Sequence, residues 1–184
     1  MSRKGRSADQ LPPIVSIVGR SGVGKTVFLE KLIAELKRRG LRVGTIKHHL
    51  HDFEIDQPGK DSWRHAQAGS DTVVISSPKE VAVIKRLEEE MDIDELAQQY
   101  LRDLDLILTE GYKTRARQRI EICREAQGTS LVSDIDQLLA IVTDTTLDLP
   151  VPQFDLEDVE GVADLIEGRF LAGHQDLASD QSSG

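Results

Sequence analysis

The chain has 184 residues, of which 39% are hydrophobic and 30% charged, a composition typical of a soluble globular domain with a substantial core. Its formal net charge of −9 argues against a duplex nucleic-acid-binding protein, which usually presents a basic face. No apolar run approaches the roughly 20 residues that span a bilayer, and a single cysteine excludes an internal disulfide framework. We therefore predict a cytoplasmic protein without nucleic-acid or membrane partners, with flexible tails over residues 1–12 and 172–184.

The first three predicted elements form a βαβ unit. A β-branched run predicts a buried strand over Ile14–Val18. A helix begins at Lys25, carries basic residues in its last turn and ends at Gly40, and a second strand covers residues 42–46. The apolar stripe of this helix consists of Leu29, Leu32, Ile33 and Leu36.

The rest of the chain continues the alternation of strands and helices. In chain order we predict a helix from Asp61 or Ser62 to Ala68, a hairpin of residues 72–76 and 81–87, a helix capped at Asp92, strands over residues 104–109, 119–124 and 138–142, and a helix from Asp155. This order predicts an α/β fold, a mostly parallel sheet flanked by helices with a β-hairpin extension, in one domain over residues 13–171.

The stretch GRSGVGKT, residues 19–26, matches the phosphate-binding loop pattern in full and lies between a predicted strand and a predicted helix. Gly19 and Gly24 let backbone amides turn inward into an anion-binding nest, to which the helix N-terminus adds partial positive charge. Lys25 supplies a full charge for the β- and γ-phosphates, and Thr26 a hydroxyl for Mg²⁺. The motif predicts a nucleoside triphosphate site in a P-loop NTPase-like fold.

A carboxylate that helps to hold Mg²⁺ is expected at the carboxyl edge of the sheet, where the phosphate loop also lies. The strand LDLILTEG offers Asp105 at its start and Glu110 at its end. The two are roughly 17 Å apart at about 3.3 Å per residue, so the geometry selects Glu110 for the metal and leaves Asp105 a structural role.

The histidine-rich stretch that follows residues 42–46 could overhang the nucleotide. Asp52, Asp56 or Asp61 could orient Mg²⁺-bound water, and Lys60 could meet an anionic group, although an ordinary polar loop or a transition-metal site are the alternatives. The base is not assigned by the residues, because the [NT]-K-x-D element of many GTPases is absent. Asp144 ends a predicted strand at the right edge but lacks the lysine of that element.

Several stretches together resemble the MobB family of GTP-binding adaptors in molybdopterin-guanine dinucleotide synthesis. They are GRSGVGKT, IKHHLHDFEIDQPGKDSWRHAQAG, DLILTEGYK, and IVTD followed by DVEGVADLI, within residues 13–171. The histidine order HHLHD departs from the HTHHD expected of the family at His49 and Leu50, so His49 receives no family role.

The resemblance implies a dimeric adaptor that binds GTP and Mg²⁺, hydrolyses GTP slowly at most, and assists MobA, the guanylyltransferase, with molybdopterin and molybdoenzymes as further partners. Residues 81–87 are the predicted dimer element. The implied catalytic residues are Lys25 and Asp61, and the implied metal ligands are Thr26, Asp52 and Glu110. The implied nucleotide-binding residues are Gly19, Gly22, Val23, Gly24, Lys25, Thr26, Val27, Lys47, His48, Lys60 and Asp144.

Two other functions stay open at this point. A P-loop small-molecule kinase would need an arginine lid, for which Arg115, Arg117 and Arg119 are candidates. A metal-insertion GTPase would fit the histidines but lacks paired cysteine and histidine ligands.

Overall fold

The computed structural model describes residues 10–49, 51, 53–111 and 118–171, so the predicted tails lie largely outside the described residues. The described residues divide into two compact units, one within Met1–His48 and Leu96–Gly184 and the other within His49–Glu95. The prediction of one domain over residues 13–171 stays a prediction.

The first unit contains a six-stranded sheet in the order β2-β5-β1-β6-β7-β8, in which every pairing is parallel. A mostly parallel α/β sheet was predicted, and this is confirmed. The strands are β1 (Ile14–Val18), β2 (Val43–Lys47), β5 (Leu106–Glu110), β6 (Arg119–Cys123), β7 (Leu138–Thr143) and β8 (Gln153–Phe154). The carboxyl ends of β1, β2, β5, β6 and β7 therefore meet at one edge, where ligands of open α/β sheets bind.

Two helices, α1 (Lys25–Arg38) and α4 (Val159–Phe170), pack against one face of this sheet. Their apolar stripes and alternate residues of the central strands form one core because successive strand side chains face opposite sides. Its fully buried members include Ile17, Leu32, Leu36, Leu108, Ile120 and Ile166.

An ionic cluster joins the end of α1 to α4. Arg39 pairs with Glu35 at 2.6 Å, with Asp164 at 2.6 Å and with Glu167 at 2.5 Å. Burial works against the charged form of Arg39, but the hydrogen bonds to these carboxylates outweigh it and raise its pKa. Hydrogen bonds from Arg38 first, and then from Arg39, lower the pKa of Glu35 from 4.5 to about 2.

Asp105 has the structural role expected of it. Its carboxylate is buried, accepts a hydrogen bond from the backbone amide of Arg42 at 2.7 Å and lies 3.7 Å from the Arg42 guanidinium. It therefore ties the start of β5 to the start of β2, at the sheet edge opposite the phosphate loop.

The second unit contains α2 (Asp61–Gln67) and the antiparallel pair of β3 (Thr72–Ser76) and β4 (Val81–Lys85). The hairpin predicted from the sequence is thus present. The division between the units falls inside α3 (Ile93–Tyr100), whose predicted capping box forms through reciprocal hydrogen bonds of 2.8 Å between Asp92 and Glu95.

The final helix differs from the sequence prediction at its start. The N-cap is Asp158, which accepts a hydrogen bond from the amide of Gly161, and Asp155 precedes the helix in a turn. Both aspartates fit a cap by residue type, so the sequence could not choose between them. The two-residue strand β8 was not predicted, because two residues carry no periodicity.

Candidate nucleotide-binding site

The phosphate loop connects β1 to α1. Gly22 and Gly24 have φ values of 79° and 97°, a left-handed conformation that a side chain would strain. Gly24 is also the N-cap of α1, and it has no side chain that could accept from the amides of the first helical turn. A Cβ on Gly19 would overlap the carbonyl oxygen of Ile122 in β6. The loop therefore presents helix-terminal amides, which favour an anion.

Lys25 closes over the loop from the first position of α1. Its ammonium donates to the carbonyl oxygens of Arg20 at 2.8 Å and Gly19 at 3.1 Å. Both acceptors belong to the loop itself, so the charge is held at the place where phosphate oxygens would compete for it.

Thr26, Glu110 and Lys47 meet beside the loop. The Thr26 hydroxyl donates to Glu110 Oε1 at 2.9 Å, and the Lys47 ammonium lies 3.4 Å from Glu110 Oε2. Lys47 and Glu110 are register partners on the paired strands β2 and β5. A hydroxyl and a carboxylate at this distance are oxygen donors that suit Mg²⁺.

The backbone next to Glu110 is closely packed against the segment that follows β2. The amide of His48 donates to the carbonyl of Glu110 at 2.9 Å, and Gly111 adopts a φ of 96°. A Cβ on Gly111 would lie 2.6 Å from the carbonyl oxygen of His48. The glycine after Glu110 is therefore required by the approach of the two chain segments.

The valines of the predicted site have different environments. Val23 is 2% exposed and belongs to the core, so what it can offer a phosphate is its backbone amide. Val27 is 57% exposed on the first turn of α1.

The other predicted residues of the histidine-rich stretch belong to the second unit or lie outside the described residues. Lys60 is the N-cap of α2 and Asp61 its first residue, both exposed. The ring of His49 lies 5.9 Å from that of Phe53. The predicted metal ligand Asp52, and the lid candidates Arg115 and Arg117, lie outside the described residues. Roles for Lys60 and Asp61 stay predictions.

Residues beyond β6 and β7 line the other side of the loop. Asp144 follows β7, and its Oδ1 accepts from the amide of Glu125 at 2.8 Å. Arg20 donates to the carbonyl of Gln127 at 2.8 Å, so the 3-10 turn Glu125–Gln127 is held from both sides.

One residue at this edge was missed by sequence reasoning. Arg124 directly follows β6, and its guanidinium lies 3.6 Å from the place where a Cβ on Gly24 would stand. The sequence prediction placed it inside the strand of residues 119–124, whereas the strand ends at Cys123. The signal that could have found it is its position after the strand next to the phosphate-loop strand.

Cys123, the last residue of β6, is buried, and its thiol lies 3.6 Å from the carbonyl oxygen of Gly128. Burial first, and then the charges of Glu121 and Asp144, raise the pKa of this thiol. These factors keep it protonated and unreactive at neutral pH.

Within the described ranges, no group of three or more histidine, cysteine, aspartate or glutamate side chains could hold a metal ion. The helices of the same ranges are all too short or too polar to cross a bilayer.

One known protein family matches more than half of this chain. The family model for molybdopterin guanine dinucleotide synthesis protein B, MobB, matches residues 14–144. A molybdopterin-guanine dinucleotide biosynthesis adapter protein of Haemophilus influenzae is 38% identical over 156 residues, covering 84% of this chain and 88% of the relative. Its Escherichia coli counterpart is 39% identical over 160 residues, covering 84% and 91%.

Solved structures with the same fold include a crystal structure of molybdopterin-guanine biosynthesis protein B. It superimposes with a TM-score of 0.68 at 34% identity and covers 85% of this chain and 98% of its own. A crystal structure of Bacillus subtilis MobB also gives a TM-score of 0.68, at 26% identity, with coverage of 86% and 98%.

Proposed function

Because this chain belongs to the MobB family, we propose that it is a GTP-binding adaptor in molybdopterin-guanine dinucleotide biosynthesis. The observation that carries this proposal is the convergence of Lys25, Thr26 and Glu110 on one phosphate loop. The adaptor acts in the cytoplasm, beside a MobA-type guanylyltransferase, and its further partners are molybdopterin and the molybdoenzymes that receive the finished cofactor.

The triphosphate tail binds in the loop of residues 19–26. The amides of the loop and of the first turn of α1 donate to the β-phosphate, and Lys25 exchanges its two carbonyl acceptors for phosphate oxygens. The bonds that Lys25 makes to the carbonyls are already charge-assisted, and a phosphate oxygen adds the attraction of an opposite charge.

Mg²⁺ is the metal that the donor set fits. Thr26 and Glu110 would hold it, directly or through water, and the ion would neutralise charge on the β- and γ-phosphates. Lys47 lies 3.4 Å from Glu110 and compensates the carboxylate's charge in the free protein. A divalent ion competes favourably with this half-exposed ammonium.

We propose that hydrolysis is slow at most. Glu110 is engaged by Thr26 and Lys47, an arrangement that suits a metal-binding carboxylate rather than a base that activates water. The role of Asp61 as a water-orienting residue is part of the proposal.

A homodimer is supported by the apolar surface of the hairpin. Val74 and Val83 are opposite each other on β3 and β4, and they are 59% and 45% exposed. Val81, on the same side of the pair, is 67% exposed. An isolated two-stranded ribbon is marginally stable, and its open edges and apolar face are completed by pairing with a second copy.

The test of this function is reconstituted synthesis of molybdopterin-guanine dinucleotide from GTP, Mg²⁺, molybdopterin and the guanylyltransferase. Adding the adaptor is expected to raise the yield, and the two proteins are expected to copurify. A yield and an elution profile that the adaptor leaves unchanged would contradict the assignment to this pathway.

A further inference from the structure

The carboxyl ends of β6 and β7 bring one cation and one anion together beside the phosphate loop. We propose that Arg124 and Asp144 read the purine base, with Arg124 as the residue that selects guanine over adenine. This inference rests on the proposed function, because it takes the nucleotide's phosphates to be held by residues 19–26.

Strand register places the two residues side by side. Cys123 and Thr143 are partners on the parallel strands β6 and β7, so Arg124 and Asp144 are each one step beyond that pair. Adjacent strands lie roughly 4.8 Å apart, a spacing comparable to the width of one purine edge. Among the described residues, the two side chains do not form an ion pair with each other, and we propose that both act on one ligand.

Arg124 has unused donor capacity at this position. It is half-buried, and its Nε is buried without a hydrogen-bond partner among the described residues. Its guanidinium rests against Gly24, the residue that precedes Lys25. The guanidinium is therefore held beside the phosphate loop, and we propose that its terminal nitrogens donate to the base.

The backbone of this pair is fixed before any nucleotide binds. Asp144 Oδ1 accepts from the amide that follows Arg124, and Arg20 of the phosphate loop holds the end of the same turn at Gln127. The second oxygen of Asp144, which is exposed, remains for a ligand. Preorganised groups of this kind lose little entropy on binding.

The chemistry of the pair matches guanine and opposes adenine. Guanine offers acceptors at O6 and N7, which suit the two-pronged donor set of arginine, and donors at N1 and N2, which suit a carboxylate. Adenine has an amino donor where guanine has O6, and this donor would face the guanidinium.

The test compares GTP, 7-deaza-GTP and ATP by calorimetric titration in Mg²⁺, using the wild type and Arg124→Ala. Removing N7 from the ligand removes one acceptor for Arg124 and alters nothing in the protein. We expect 7-deaza-GTP to bind the wild type about tenfold more weakly than GTP, the usual effect of one hydrogen bond to a charged group. In Arg124→Ala this difference disappears, and the preference for GTP over ATP falls while ATP affinity is unchanged.

Two further variants make the result specific. Arg124→Lys keeps the charge without the planar fork of the guanidinium, so it should retain ATP affinity and lower the preference for GTP. Arg169→Ala, an exposed arginine on α4, makes the same change in net charge and should leave all three affinities unaltered.

The possible failures are distinguishable. An equal loss of GTP and ATP affinity in Arg124→Ala would assign the arginine to a phosphate contact and overturn base reading. An effect of N7 on affinity that persists in that variant would also overturn base reading. GTP binding that depends on Lys25 but is indifferent to the base would overturn this inference alone. Failure of the wild type to bind GTP at all would overturn the proposed function with it.

Discussion

Glu110→Gln is expected to weaken GTP binding only when Mg²⁺ is present. Glutamine keeps the shape of the side chain and can still accept from Thr26, 2.9 Å away, but it loses the charge that holds a divalent ion. In EDTA the same variant should bind GTP as well as the wild type or slightly better, because a negative group near the phosphates has been neutralised.

The magnitude follows from the partners of the carboxylate. At 3.4 Å from Lys47, the Coulomb attraction would be about 5 kcal/mol at an effective dielectric constant of 20. Because the lysine side chain is 54% exposed, solvent reduces the net value to about 1 kcal/mol or less, so the fold should survive the change. Loss of a charge-assisted metal contact is worth roughly 1.5–3 kcal/mol, which is roughly 10- to 150-fold in affinity.

The assay is titration of GTP by calorimetry in Mg²⁺ and in EDTA, with thermal unfolding as a check on the fold. Glu30→Gln, which removes an exposed carboxylate of α1, is the matched control and should change neither titration. An equal loss of affinity in both buffers would refute the assignment of Glu110 to the metal.

Three further predictions concern the fold and its assembly. The pKa of Glu35 is lowered from 4.5 to about 2 in the folded chain. Its contribution to stability is therefore present above about pH 4.5 and is lost as the pH falls to about 2. Glu35→Gln should lower the free energy of unfolding in urea at pH 7 and flatten its dependence on pH. Gly111→Ala should lower the free energy of unfolding by about 1–2 kcal/mol because the backbone at Gly111 is left-handed. The loss should be larger still because the added Cβ would overlap the carbonyl oxygen of His48. Val83→Lys, opposite Val74, should convert the proposed dimer to monomers in sedimentation equilibrium.

Each of these predictions has a matched control in the chain. Glu30→Gln, on the same helix as Glu35, should leave the acid limb of the stability curve unchanged. Gly168→Ala, in α4 with open space around it, should stabilise by up to about 1 kcal/mol, the opposite sign to Gly111→Ala. Lys79→Glu, in the hairpin turn, should leave the mass in solution unchanged. If a control variant showed the same effect as its test variant, the physical cause proposed for the test variant would be wrong.

Much of the fold could be predicted because local rules and tertiary packing agree. Strand β1 and helix α1 combine a buried β-branched run, a glycine-rich loop and an amphipathic stripe, and the structure places them as predicted. Glu110 was chosen over Asp105 because it lies at the carboxyl edge of the sheet, where the phosphate loop also lies; its metal role stays a prediction, and its carboxylate lies 2.9 Å from Thr26.

What could not be predicted depends on contacts between distant segments. The nucleotide-binding role of Lys47 stays a prediction, whereas its pairing with Glu110 could not be predicted because it arises from the register of β2 with β5. Arg124 lies beside the phosphate loop only because β6 is the strand between β1 and β7. No local pattern in a single sequence specifies which strands become neighbours.

We propose above that residues 19–26 bind the phosphates of GTP, with Lys25 as the principal positive charge. The most direct measurement is the dissociation constant of GTP in Mg²⁺ for the wild type and for Lys25→Ala, with circular dichroism to verify the fold of both. We predict that the wild type binds and that the variant loses at least about tenfold in affinity, since a bond between charged groups contributes roughly 1.5–3 kcal/mol. Equal affinities for two folded proteins would contradict the claim.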